Sequence, residues 1–544
     1  MRHASRFAAA ALALAALSPV RAADEAAPLP IIDPRALGAH MRFLSDDLLQ
    51  GRASGSDGYR IAARYVAAQF EAAGLDPAGT DAYLQPVTLR AAELDEGRSW
   101  LRLSVPGLAT AQLRHLDQVL ISPSFVRTED EVKGAVVFVG YGITAPDLRH
   151  DDYAGVDVKG KVAAVLSGAP SRFPDVLRAH HGGQRQKIEN AVAHGAAGVL
   201  VLATPEEQAL VPWKHHLRHA RAPGLRWMHG DALEAAFPEL HGLAVVGVNV
   251  ADRILAGAGR RPEDVYARAA AGQRESFATG ARAVLRTVTR HRSVESPNVA
   301  ALLPGGDPLL RAETVVYSAH LDHLGLGEPV DGDRIYNGAV DNAAGVAAVI
   351  EIARALAGRP QPPRRSVLFL AVTGEEAGLL GSDYFAQHPT AAAGSMVAAI
   401  NIDALGLLLP AADVVGIGAD SSTLGEALRR AAGQLGVEVS PDPVPEQVLF
   451  IRSDQYSFVR QGIPSVFLNA GFKPLRPGQD LAKTFERWLG AVYHTPKDDM
   501  AQPLDLAAGA RLARLNLLLG MIVADQPQRP RWKPDDFFGR TYGG

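Results

Sequence analysis

From about residue 290 onwards, short β-rich runs alternate with helical patterns, and this alternation limits the possible folds more than any other feature of the chain. Residues 299–303, 315–319, 367–372, 397–402, 414–417 and 465–468 are dominated by Val, Ile, Leu, Phe and Ala. Strands that read as continuous apolar runs are buried on both faces, as in a largely parallel sheet covered by helices. Between two of them, residues 343–356 put Val346, Val349, Ile350, Ala353 and Leu356 on one helical face. The expected fold class is α/β, with a mostly parallel central sheet and helices on both faces.

At 544 residues the chain exceeds one ordinary core, so more than one domain is expected. Helical spacing covers Leu37, Met41, Leu44 and Leu48, then resumes from Ile61 to Leu75 after a Gly/Ser-rich turn at 51–58. Residues 136–139, 161–166 and 199–202 read as buried strands, with a short helix at 188–193 and glycines at the junctions. This pattern separates a discontinuous main domain, 23–100 with 286–526, from a β-rich insertion at 101–285. An irregular strap, 527–544, follows, carrying Trp532, Phe537 and Phe538. Within the insertion, Gly155 to Lys161 approximates a phosphate loop, but Val162 stands where Ser or Thr must hold magnesium. A strand begins there rather than a helix, so the segment is read as a tight turn.

Residues 1–22 carry Arg2, Arg6 and Arg21, no acid and an apolar run from Phe7 to Leu17. Small residues precede a cleavage point after Ala22, which is the pattern of an export signal. The expected location is periplasmic or extracellular. The apolar run is shorter than the ~20 residues of a spanning helix, and no transmembrane segment is expected. Formal net charge is −4, or −7 once those three arginines are removed, which gives no electrostatic ground for nucleic acid. Cysteine is absent. Disulfides, thiol nucleophiles and thiolate ligands are thereby excluded, so any metal is held by His, Asp and Glu.

Ligands of open parallel sheets gather beyond the carboxyl ends of strands. After 315–319 come His320, Asp322 and His323; after 367–372, Thr373-Gly374-Glu375-Glu376; after 397–402, Asp403. The Asn337–Asn342 loop, with Asp341, opens a helix. One His and one carboxylate per ion, with one carboxylate shared, make a two-metal site with room for water. The adjacent Glu375 and Glu376 point in different directions, so one suits metal and the other proton transfer. Asp322, two residues from His320, is in reach of the ring nitrogen that a metal leaves free. His323 receives no role and is read as structural. There is no Gly-x-Ser-x-Gly elbow and no His-Glu-x-x-His helix.

Six stretches carry a resemblance: Ser318 to Gly325, Asn337 to Gly345, Thr373 to Ser382, Asn401-Ile402-Asp403, Arg452-Ser453-Asp454 and Tyr493-His494-Thr495-Pro496-Lys497-Asp498. In this order they resemble the two-zinc exopeptidases that include bacterial leucyl-type aminopeptidases and glutamate carboxypeptidase. The resemblance spans most of residues 34–90 and 290–525. It implies two Zn2+ ions bridged by Asp341, with His320 and Asp403 on one and Glu376 and His494 on the other. It further implies Glu375 as general base, Asp322 as partner of His320, and a protease-associated domain as the insertion. Gln455 departs from the family, many of whose members have His there; the change would alter the substrate-side wall and no ligand.

Both ends of a peptide are attacked within this family, so the fold does not decide between them. A carboxypeptidase needs Arg or Lys beside the metals to hold a carboxylate. Near the motifs the cations are Arg452 and Lys473, whereas Glu375, Glu376 and Asp403 supply a field for an ammonium. Leu324, Gly325, Leu326, Gly378, Leu379, Leu405 and Leu407 suggest an apolar pocket for the first side chain. The expectation is therefore a metallo-aminopeptidase acting on peptides. Carboxypeptidase, glutaminyl cyclase and a metal-retaining binding protein are the alternatives.

Overall fold

The computed structural model describes residues 30–543 apart from 211 and 219; the export signal expected at 1–22 lies outside the described residues. At the centre is a nine-stranded sheet built on β1 (Asn298–Leu303), β2 (Glu313–His320), β3 (Ser366–Val372), β4 (Ser395–Asn401), β5 (Asp413–Ile417) and β6 (Ser465–Ala470). Their order is β1-β3-β2-β4-β6-β5. The middle four run parallel, while β1 and β5 pair antiparallel at the flanks. Alternate residues of a strand face opposite sides. Val316, Leu368, Leu370 and Val372 pack on one side with Phe385 and Phe458 from helices Leu380–Gln387 and Gln455–Val459. On the other side Phe369 meets Phe70, and the Tyr317 hydroxyl donates to Asn516 O. Helices Asp57–Ala72, Ala344–Ala357 and Leu506–Asp525 belong to this second layer, so the two-sided α/β expectation holds.

Helix Leu506–Asp525 has the length and apolarity of a membrane span, yet most of it is buried within the protein. Its buried side chains include Leu512, Leu515, Leu518, Leu519 and Val523, and it lies against helices Pro34–Leu44, Ala344–Ala357 and Leu424–Leu435. Its hydropathy is explained by core packing.

A second, eleven-stranded sheet contains Thr88–Leu94, Glu129–Val139, Val162–Leu166, Gly198–Leu202, Gly224–His229 and Leu243–Val246. Its longest member, Ser276–Glu295, pairs with Glu129–Val139 and Thr88–Leu94 in turn and then leads into β1. Short strands upstream, Asp76–Pro77 and Leu84–Gln85, pair with β1 in the central sheet. This unit is thus a true insertion between two parts of one sheet, although helices such as Asp175–Gly182 and Gln184–Ala193 accompany its strands. Among the contacts that fasten it to the central domain are two between side chains. Trp227 Nε1 donates to Asp383 Oδ2 at 3.0 Å, and His180 Nδ1 lies 2.8 Å from the Tyr456 hydroxyl.

Residues 527–536 run largely without regular structure, and Phe537–Tyr542 forms a short helix. Phe538 is fully buried beside Phe450 and Tyr456, and Trp532 Nε1 donates to Gly462 O.

Candidate active site

Three adjacent parallel strands end level with one another: His320 closes β2 opposite Val372 of β3, and Ser318 is opposite Asn401 of β4. Their carboxyl ends therefore deliver His320, then Glu375 and Glu376, then Asp403 to one edge. Gly374 makes the turn after β3 with φ near +68°, a conformation that favours glycine, and a Cβ there would press on Leu380. Gly338, at φ near +60°, precedes Asp341; a Cβ on it would collide with the Asp341 carbonyl. The Asp341–Asn342 peptide is cis. His494 completes the edge from the loop after helix Leu481–Ala491 and holds a left-handed φ of 56°.

All seven residues expected at the site converge. His320 Nε2 lies 3.2 Å from Asp341 Oδ1 and 3.5 Å from Asp403 Oδ1. His494 Nε2 lies 3.2 Å from both Asp341 Oδ2 and Glu376 Oε2. Asp341 thus turns one oxygen towards each histidine. Donor atoms of His320, Glu375 and Asp403 fall within 4.8 Å of one another, as do those of His323, Asp341 and Glu376. His320 Nε2 and Glu376 Oε1 are buried without a well-formed hydrogen bond. Buried polar atoms rarely remain so, and imidazole nitrogens converging with carboxylates suit Zn2+. The residues present fit the expected metal.

The electrostatics separate the two glutamates. Burial opposes charge on Glu376, but His494 and then His323 hold its carboxyl well below the usual range. Burial likewise opposes charge on Asp341, which hydrogen bonds from His320 and His494 outweigh. Glu375 goes the other way: burial, with Glu376, Asp454 and Asp403 adding repulsion, keeps its pKa well above normal despite His320. A carboxylate raised in this way is a stronger proton acceptor than an ordinary one. Burial disfavours the imidazolium of His494, yet Glu376 and Asp341 push its pKa up to about 10. Such a cation stands in for the positive charge of a metal.

Three sequence expectations are corrected in detail. His320 Nδ1 meets the backbone carbonyl of Asp322 at 3.1 Å, while the Asp322 carboxylate accepts from Glu375 N and the Ser54 hydroxyl. Asp322 therefore steadies both His320 and the turn that carries Glu375. Gln455 does not form a substrate wall: it is buried, accepts from Asn401 Nδ2 and donates to the carbonyls of Leu449 and Phe450. Leu405 and Leu407 are buried in the core, and of the suggested apolar pocket Leu324, Leu326 and Gly378 line the cleft.

Three residues of the site received no role from the sequence. His323, read as structural, places Nδ1 2.6 Å from Glu376 Oε1 inside the carboxylate cluster. Its position one residue past Asp322 in the ligand loop was the available signal. Arg52 is wholly buried and donates to the carbonyls of Leu44, Asn337, Gly338 and Leu321, joining the loops that carry Asp341 and His320. Asp498 supports the same loop, accepting from the backbone N–H groups of Val340 and Asp341 at 2.9 and 3.0 Å.

The cluster opens into a cleft of about 1160 Å³ whose lining includes Asp322, His323 and Glu376 from the central domain and many residues of the insertion. The cations expected to govern this region are engaged elsewhere: Arg452 with Gln447, and Lys473 with Glu438.

Comparison with known proteins agrees with this architecture. Residues 298–519 match the model of peptidase family M28, and residues 123–252 match the PA domain. A probable zinc metalloprotease of Pyricularia oryzae is 28% identical over 269 residues, covering 44% of this chain and 52% of that protein. Leupeptin-inactivating enzyme 1 of Streptomyces exfoliatus is 27% identical over 214 residues, covering 39% of this chain and 44% of that one. The chain thus spans about half the length of these relatives. The aminopeptidase from Aneurinibacillus sp. strain AM-1 shares the fold, with a TM-score of 0.54 and 20% identity over 93% of this chain and 97% of its own. The central sheet, from β1 into helix Leu506–Asp525, is thus the part of the chain that matches peptidase family M28, and the second sheet spliced into it is the part that matches the PA domain.

Proposed function

We propose that this chain is an exported zinc aminopeptidase that binds two Zn2+ ions and removes residues from free amino termini of peptides. The observation that carries the proposal is the Asp341 carboxylate, with one oxygen towards His320 and the other towards His494. His320 and Asp403 would hold one ion, Glu376 and His494 the other, with Asp341 between them. When bound, the zinc ions supply Lewis acidity, lowering the pKa of water and polarising the scissile carbonyl. Glu375 takes the proton of the attacking water on its carboxylate and returns it to the leaving amine. Its raised pKa and its backbone bond to Asp322 suit that exchange. The buried carboxylates provide the field for the substrate's ammonium, and the names of the relatives are in keeping with this activity.

The test joins metal analysis to a leucyl-peptide series: free, acetylated at the amino end, and amidated at the carboxyl end. Close to two zinc ions per chain, loss of activity on chelation and no cleavage of the acetylated peptide are expected. One tightly bound ion with full activity would sink the two-metal assignment. Cleavage of the acetylated peptide together with inactivity on the amidated one would reverse the direction of attack.

A further inference from the structure

The cleft that holds Asp322, His323 and Glu376 is also lined by Arg185, Arg218, Arg221 and Arg226 of the insertion. Two of these four are neutralised. Arg185 pairs with Glu189 and Glu234, and Arg221 with Glu96 and Glu328. Arg226 is different: its guanidinium lies over the Phe125 ring at 4.7 Å, donates to Leu225 O, and forms no ion pair among the described residues. It sits half-buried on strand Gly224–His229, next to Trp227, whose indole is buried and tied to Asp383. Adjacent residues of a strand face opposite sides, so the anchor that fixes Trp227 also sets the direction of Arg226. Arg218 and, from strand Asp333–Tyr336, Arg334 add cationic lining without an acidic partner among the described residues.

A partly desolvated cation without a counterion is costly unless something supplies one. Burial, and then the neighbouring charge of Arg185, hold the Arg226 pKa below the usual arginine range against the pull of Glu234, a carboxylate that is itself paired with Arg185. Stacking on Phe125 occupies the face of the guanidinium, whereas the edge donors suit the two oxygens of a carboxylate.

We propose that Arg226, with Arg218 and Arg334 as further cations lining the same cleft, forms a subsite for a carboxylate on the leaving side of the substrate. The inference rests on the aminopeptidase reading: the amino end is held at the acidic cluster and the rest of the peptide lies in the arginine-lined part of the cleft. The carboxylate comes from the free carboxyl terminus of a short peptide or from an Asp or Glu side chain beyond the scissile bond.

Four peptides separate these sources: Leu-Ala-Ala, its carboxyl amide, and the amides of Leu-Glu-Ala and Leu-Gln-Ala. The zinc-loaded full chain is expected to favour acid over amide, or Glu over Gln, by about 10- to 100-fold in kcat/KM. In Arg226→Gln that ratio falls towards one while cleavage of the neutral amides persists, which a general loss of fold would not produce. Arg334→Gln, at an exposed position, gives a smaller change in the same direction. Calorimetry with alanyl-alanine and its amide reads the subsite without turnover, and tighter binding of the acid is expected. Equal rates and equal binding for acid and neutral partners in the unaltered protein, or a preference that survives Arg226→Gln, overturn the subsite and leave the aminopeptidase reading standing. Cleavage confined to acetylated peptides overturns that reading instead.

Discussion

At the scale of single residues, neighbours in sequence have opposite environments. Glu376 is surrounded by imidazoles and ionises easily, whereas Glu375 faces other carboxylates and resists ionisation. Glu375→Gln should therefore lower turnover by roughly 10²–10⁴ while zinc content is kept. Glu376→Gln should chiefly lower zinc affinity. Mass-spectrometric metal analysis beside initial rates checks both, and the reverse pattern would exchange the two roles. Arg52 makes a different demand. Its buried guanidinium satisfies four backbone carbonyls and faces the charges of Asp322, Asp498 and Asp341, while burial pulls its pKa down to about 10. Arg52→Met leaves those carbonyls unpaired and the acids uncompensated. A loss of about 3–5 kcal/mol is expected in denaturant unfolding of the metal-free protein; a loss below about 1 kcal/mol would show that the loops hold themselves. A sequence cannot advertise such a residue, because arginine is seldom buried and nothing local marks the exception. His320 and Asp403 were legible because they follow apolar strands, and His323 was not, because one extra histidine beside a ligand carries no pattern of its own.

Among elements, the same contrast decides which strands were readable. β2, β3 and β4 are covered on both faces and stand out as apolar runs. Ser276–Glu295 buries Ala281, Ala283 and Leu285 on one face while Arg282 and Arg286 occupy the other, so its twenty residues contain no comparable run. It went unread although it is the longest strand of the second sheet. Helix Asp175–Gly182 docks through His180 and His181, whose rings meet Phe173, Phe537 and Phe538. Burial lowers their pKa values to about 4 and about 3, with Arg460 adding to the effect at His180, and His180 and Lys187 at His181. Between those values and the ordinary ~6.5 the unfolded chain binds more protons than the folded one, so stability rises with pH across that window and is lost on acidification. A shift of this size corresponds to about 3 kcal/mol for His180. Melting temperature should fall as pH drops from 6.5 towards 4, and a His180→Gln, His181→Gln double variant should show a flatter profile over that range. An unchanged slope in the double variant would assign acid sensitivity to other groups.

For the molecule as a whole, the insertion is joined to the central domain by two chain crossings and pinned by Trp227 on one side and His180 on the other. A change of pattern in the sequence pointed to the insertion, but its expected bounds, 101–285, are narrower than the second sheet, which takes in Thr88–Leu94 and runs on to Glu295, and the shared cleft was not legible at all. Its walls are contributed by residues more than a hundred positions apart, and neither set looks like a binding site alone. A cleft walled in this way admits thread rather than cloth. Under the proposed activity, loose ends and short fragments would reach the carboxylate cluster, whereas a folded globule would be stopped at the rim by its own bulk. The expected result is trimming of unstructured peptides and no trimming of a stable folded protein whose first residues are packed, until that protein is unfolded. Equal release of amino acids from the folded and the denatured forms would show that the insertion swings clear. Otherwise, under the aminopeptidase proposal, the second domain would act as a steric filter that spares intact proteins and leaves the debris of earlier cleavage as substrate.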